Sequence, residues 1–493
     1  MMSRRSIAVW VNRSRQGITS HRVTGHQVPI IAPAREIANL CIVLVPGSRW
    51  VFCPWHPDML YWMLNLGLSS YANRRAGERM SGIMKPKLRG IDARPIQHQG
   101  QSMVLLRDPL NLSDAAIAVP QALVPLLAFM DGTRDEAELE AALLVRVGVR
   151  LAPGLLPQLL ADLDEAYLLE NHRYLRAKAR ALQSYREASS RAMTLDSAGF
   201  PTDPDQASVE LQGYVDSLVD TVPAAQRDHA AKAPCLRGLV SPHIDYQRGG
   251  AVYAQVWQAA AEAAKQADLV VILGTDHQGG EGTLTLTCQS YATPWGVLPT
   301  DKQVVRRLAQ VLGEGAVFDE ELHHRAEHSI ELVAVWLHFI RAGEPVPVVP
   351  ILCGSFATFV AGASDPADHE PFRQAISVLQ SEIAARRTLV VAAADLAHMG
   401  PAFGDSVGLD PIGQAQLQNA DERLLACVYD GDATAFFETL QAEGDRRHVC
   451  GLPPIYLTLR LLEDIRGEPA GYALCPADPQ GTSYVSIAGA LLW

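Results

Sequence analysis

From Ala233 to Trp493 the chain alternates apolar runs of strand length with helical stretches, and this order restricts it to an α/β fold with a mostly parallel sheet. Parallel strands need helical crossovers, so both faces of such a sheet are covered. Three of the apolar runs end in ionisable residues. Leu236–Ser241 leads into Pro242-His243-Ile244-Asp245, Asp268–Leu273 into Gly274-Thr275-Asp276-His277, and Arg387–Ala393 into Ala394-Asp395-Leu396-Ala397-His398. In an open α/β sheet the carboxyl ends of the parallel strands form the ligand crevice. Strands delivering His243, His277, Asp395 and His398 to that edge bring them within reach of one site.

Taken singly, each of these residues has a plainer role. A histidine after a strand caps or is solvated, and Asp276 of Gly-Thr-Asp-His is a natural helix cap. Their joint arrival at one edge is what indicates a site. A second cluster, His323-His324-Arg325-Ala326-Glu327-His328-Ser329-Ile330-Glu331, opens an apolar helix and sets Glu327 and Glu331 one turn apart with His328 beside them. A third is His448-Val449-Cys450-Gly451-Leu452-Pro453-Pro454, where Cys450 precedes a helix whose amino end favours a thiolate. A buried structural cysteine is the plain alternative. A hydrolase with Cys450 as nucleophile and His448 as base also fits that spacing, but leaves His243 and His277 unexplained.

The preceding chain is of different character. Residues 1–83 hold ten Arg, no Lys and three acidic residues, a formal +7, so the remainder carries −19 of a total of −12. Half of the eight tryptophans lie there, and the apolar residues keep no steady period. The segment reads as a targeting stretch, as a basic accessory domain, or, the reading favoured here, as sequence ahead of a true start at Met84. Residues 84–178 read as a small α+β, winged-helix-like module. Strands are expected at 102–108 and 115–119, helices at 120–130, 135–147 and 153–165, and a closing ribbon from Ala166–Glu170 and Arg173-Tyr174-Leu175. Its middle helix is acidic, which argues against DNA and for peptide or protein docking. Residues 179–233 read as a helical connector and 234–493 as the α/β domain. The eight cysteines form no CxxC pair and no regular framework, which fits a reducing cytoplasm, and no apolar run approaches the roughly 20 residues that span a bilayer.

The ordered segments SPHIDYQRGG, VVILGTDHQ, YATPWGVLPTD, EHSIELVAVWL, VPILCG, AADLAHMG and CGLPPIYLTL, with SYVSIAGALLW at the end, make residues 235–493 resemble the Memo family, called AmmeMemoRadiSam system protein B in microbes. The layout DGTRDEAELEAAL to LLADLDEAYLLEN is similar to PqqD-like peptide-binding modules. The resemblance implies a fold like that of the class III extradiol dioxygenases, with a divalent metal at the strand ends. By position it implies His243, His277 and Cys450 as metal ligands, Asp395 and His398 beside the metal, and Glu327, His328 and Glu331 in the matching Glu-His-Ser-Ile-Glu segment. His398 is expected as acid/base, and Asp395 or Glu331 as the group that orients a ligand imidazole. Imidazoles with a thiolate suit iron, copper or zinc, with iron favoured. Gln278, Ile244-Asp245 and Leu452-Pro453 depart from the family pattern, so the pocket lining is altered.

Two functions fit. One is a metal-dependent redox enzyme, oxidoreductase in class and non-haem iron-dependent, acting with a radical SAM protein and AmmeMemoRadiSam system protein A. The other is a non-catalytic metal-binding adaptor that docks a partner protein or peptide through residues 84–178. Neither calls for DNA or a membrane.

Overall fold

In a computed structural model of the chain, the described residues are Val43–Leu44, 85–221 and 236–493. The rest of the basic Arg/Trp-rich segment, Met84, residues 222–233 of the expected connector and residues 234–235 lie outside them. The chain forms two compact units, the first ending at Gln183 and the second beginning its main span at Ser184. No helix among the described residues is long and apolar enough to cross a membrane.

The first unit carries an antiparallel sheet in the order Val43–Leu44, Ala116–Pro120, Gln101–Arg107, Asp92–His98. Its helix Glu136–Val147 starts in a reciprocal cap. The Asp135 carboxylate accepts from the Glu138 amide while the Glu138 side chain accepts from the Asp135 amide, and left-handed Gly148 ends the helix. Leu127, Leu139, Leu143, Leu156 and Leu163 fill the core. Two expectations fail here. Arg173-Tyr174-Leu175 is not a strand but the first turn of the helix His172–Glu187, because Asn171 Oδ1 accepts the amides of Arg173 and Tyr174 at 2.9 and 3.0 Å. The expected ribbon therefore reduces to one bridge, Leu88 to Leu169. The helix expected at 120–130 is shorter as well, a tight turn at Gln121–Leu123 followed by Val124–Phe129.

The second unit is built on eight strands: β1 Gly238–Ser241, β2 Leu269–Thr275, β3 Leu284–Leu286, β4 Val348–Cys353, β5 Thr388–Ala393, β6 His398–Met399, β7 Gly467–Pro476 and β8 Tyr484–Leu492. Their order is β6-β8-β1-β5-β2-β4-β3, with β7 on the other side of β8. The central four, β1-β5-β2-β4, are mutually parallel, and the flanking pairs are antiparallel. Side chains alternate across the sheet. Val271 and Leu273 of β2 join the core that contains Val304, Phe372 and Leu457, whereas Val270 and Ile272 join the one that contains Val256, Trp257 and Trp336. Helices thus cover both faces, in the class III extradiol dioxygenase-like manner expected. The carboxyl ends of β1, β5 and β2 lie side by side, and that shared edge positions the site.

Candidate metal centre

His243 follows β1 after a single residue, Pro242. Asp245 then caps the helix Tyr246–Ala259 by accepting from the Arg248 amide at 3.1 Å, so the chain turns away as soon as His243 has been delivered. The residue is 1% exposed. Its Nδ1 donates to the Ala393 carbonyl at 2.9 Å, which leaves Nε2 facing Cys450 Sγ at 3.3 Å. From the end of β5, Asp395 Oδ1 accepts the amides of His243 and Ile244 at 2.8 and 3.2 Å, and Asp395 Oδ2 lies 3.8 Å from His243 Nε2.

His277, after β2, is oriented in the same manner by a carboxylate. Its Nδ1 donates to Glu327 Oε2 at 2.9 Å. Glu327 is extended and separates the short helix His323–Ala326 from Ser329–Ile340. Its other oxygen, Oε1, accepts the amides of His328 and Ser329 at 2.8 and 3.0 Å, at the positive end of the second helix. His328 is thereby laid flat on His277, with ring centres 5.2 Å apart and planes within 10°. One ring nitrogen from each of His243, His277 and His328 falls within 4.8 Å of the others. Cys450 closes the cluster from the amino end of the helix Leu452–Leu462. Its carbonyl accepts from Thr275 Oγ1 at 3.0 Å, and the Gly451 amide donates to the Asp395 carbonyl at 3.0 Å.

Charges in this enclosed space shift one another. Burial alone would lower the pKa of His243, but the Asp395 carboxylate and then the Cys450 sulfur outweigh it and raise it to about 9. Burial likewise opposes the imidazolium of His277, yet Glu327 and Cys450 push its pKa well above the ordinary value. Burial would raise Cys450, and the two imidazoles lower it. Glu327 stays far below the carboxylate range despite burial, because His277 and His328 flank it. The protons of this set are the ones that a bound cation would displace. His328 and His398 go the other way, both to about 3, mainly through burial. His398 is therefore a neutral imidazole. Its Nδ1 donates to the carbonyls of His448 and Leu396 at 3.1 and 3.2 Å, and its ring packs edge-on against Phe403.

The structure thus brings together His243, His277, His328, Cys450, Asp395 and His398. Glu331 stands apart. It is fully buried in an ion pair with Arg191 at 2.8 Å and accepts the amides of Thr194 and Leu195, so it pins the 191–195 segment and orients no imidazole of the cluster. Glu327 fills the orienting role expected of Glu331 for His277. Arg191 also donates to the carbonyls of His324 and Glu327, and nothing in the polar connector around it signals this. A buried pair of Asp276 Oδ2 with His323 Nδ1 at 2.9 Å backs the same loops, and was equally unsignalled. The donor set fits a divalent metal. The imidazoles of His243 and His277 have Nδ1 engaged and Nε2 available, and a lowered thiol sits beside them.

Comparison with known proteins agrees with this geometry. Residues 191–488 match the family of Memo-like proteins. A MEMO1 family protein of Aquifex aeolicus is 28% identical over 387 residues, 78% of this chain and 92% of the relative. Another, of Methanopyrus kandleri, is 28% identical over 229 residues, 46% of this chain and 71% of the relative. Over 237 residues the protein memo-1 homolog of Caenorhabditis elegans is 26% identical, covering 47% and 62%. With the family match spanning more than half its length and every described strand of the α/β sheet inside or abutting it, the chain belongs to the Memo family.

Proposed function

We propose that the chain is a metal-dependent redox enzyme, with iron held by His243, His277 and Cys450 and with His328 as a further imidazole at the same centre. The observation that carries this reading is the convergence of three imidazoles within 4.8 Å, with the Cys450 sulfur 3.3 Å from His243, at the carboxyl edge of the sheet. Imidazole with thiolate favours iron or copper over magnesium or calcium, and a bound iron supplies electron transfer and a Lewis-acid position. The chain's own groups divide the remaining work. Asp395 and Glu327 hold the imidazoles in place. His398, neutral and with Nδ1 bonded to carbonyls, leaves its other nitrogen as a hydrogen-bond acceptor. Cysteines that form no disulfide among the described residues support a cytoplasmic setting. The family resemblance supports joint action with a radical SAM protein and AmmeMemoRadiSam system protein A.

The test is nitric oxide titration of the full chain after anaerobic loading with iron(II). An electron paramagnetic resonance signal from an iron–nitrosyl species, absent in metal-free protein, is the expected result and shows a position open to small molecules. Iron that is retained but takes up no nitric oxide would favour the adaptor reading.

A further inference from the structure

A continuous array of aromatic side chains leads away from His243. Tyr253, on the helix Tyr246–Ala259, donates its hydroxyl to the carbonyl of Ile244 at 2.9 Å, one residue beyond the histidine. Its ring stacks on Trp336, with centres 5.9 Å apart and planes within 5°. Tyr246 meets both rings edge-on at 5.1 and 6.2 Å and donates its hydroxyl to the Leu332 carbonyl at 2.7 Å. Beyond Trp336 the Phe339 ring lies 5.6 Å away, and Trp295 lies 5.8 Å beyond that. Trp295 is partly exposed, and its Nε1 donates to Ser208 Oγ at 3.0 Å.

The proton environments along the array are graded. Tyr253 and Tyr246 give their hydroxyl protons to backbone carbonyls, which are not bases. Trp336 Nε1 is buried with no hydrogen-bond partner among the described residues. An indole N–H left unpaired in a core costs stability that a phenylalanine would not, so packing alone does not account for tryptophan at this position. An oxidised aromatic ring that cannot shed its proton passes the electron vacancy on instead of trapping it. Of the indole and phenol groups in the array, only Trp295 is partly exposed, and its N–H donates to Ser208 Oγ, which itself donates to the Pro204 carbonyl.

We infer that Tyr253, Trp336 and Trp295 form an electron relay that draws oxidising equivalents away from the metal centre to the surface, sparing His243 and Cys450. The inference rests on the redox reading of that centre. With hydrogen peroxide as oxidant, the O–O bond breaks and two waters form. One electron comes from iron(II), which becomes iron(III). The other comes from Trp295, whose N–H proton leaves with it, and a second proton is taken from solvent.

The test treats the iron(II)-loaded full chain with substoichiometric hydrogen peroxide and maps oxidised residues by mass spectrometry. Trp493 is the internal reference. It is partly exposed and follows Leu492, which pairs with Gly238 at the end of β1 opposite His243. Oxidation is expected to concentrate at Trp295 over Trp493, and to require iron. In Trp336→Phe it is expected to fall severalfold at Trp295 and rise at Cys450. Tyr253→Phe, which keeps the packing, is expected to act in the same direction. Normal iron content with equal oxidation of Trp295 and Trp493, or with Trp295 oxidation unchanged in both variants, would overturn the relay. Absence of bound iron would instead overturn the metal reading, and the relay with it.

Discussion

Arg191→Met is expected to destabilise the second unit by about 3–5 kcal/mol, the cost of leaving one member of a buried ion pair without its partner. Both side chains of the Arg191–Glu331 pair are fully buried. The guanidinium also donates to His324, Glu327 and Ala192 carbonyls and lies over the Tyr291 ring. Methionine fills much of the volume but leaves the buried Glu331 charge without its counter-ion and three carbonyls without their guanidinium donor. Because one of those carbonyls belongs to Glu327, the loop that aligns His277 and His328 loses a support as well. Lys265→Ala provides the contrast. Its ion pair with Glu262 joins two side chains that are both half exposed, so its loss is expected within about 1 kcal/mol. Chemical denaturation of the three proteins measures the difference. A loss below about 1 kcal/mol for Arg191→Met would refute the role given to this pair.

The second large effect is expected at Gly451. A Cβ there would stand 2.3 Å from the Asp395 carbonyl oxygen and 2.7 Å from the Ala394 Cβ. Neither neighbour is a flexible side-chain end, since both belong to the chain leaving β5, where the Ala394 amide is bonded to the Ser241 carbonyl. Gly451→Ala must therefore push Cys450 away from the strand ends. Overpacking of this kind costs about 1–3 kcal/mol. The displaced sulfur is expected to weaken metal binding by about 10–100-fold, as when a support just outside a metal site is lost. Gly213→Ala, on the helix Pro204–Thr221, meets nothing within 4 Å and is expected to be neutral or slightly stabilising. Metal titration and denaturation of both variants check the pair. Wild-type affinity in Gly451→Ala would show that the close approach does not position Cys450.

Much of the site is legible in the sequence, for a reason tied to topology. His243, His277 and Asp395 each follow an apolar run that becomes a parallel strand, and parallel strands share one carboxyl edge. The division of labour between Glu327 and Glu331 was not legible. One helical turn separates them, so periodicity places both on one face. The structure extends the backbone at Glu327, where the carboxylate gains His277 and two amides, and turns Glu331 toward Arg191. Those partners lie 50 and 140 positions away, and no local pattern encodes them. Arg173-Tyr174-Leu175 failed differently. Its residues suit a strand, but the Asn171 cap just before them starts a helix. The aromatic array is tertiary throughout, joining Tyr253, Trp336 and Trp295 from three separate stretches of chain.

The central claim is that the ends of β1 and β2, the Glu327-His328 turn and Cys450 build one metal centre. The most direct test is elemental analysis of the full chain after anaerobic loading with iron(II) and removal of free metal, beside a His243→Ala/Cys450→Ala variant. Near-stoichiometric iron in the parent and its loss from a variant that remains folded is the predicted result. Equal iron in both proteins, or none in either, would contradict it.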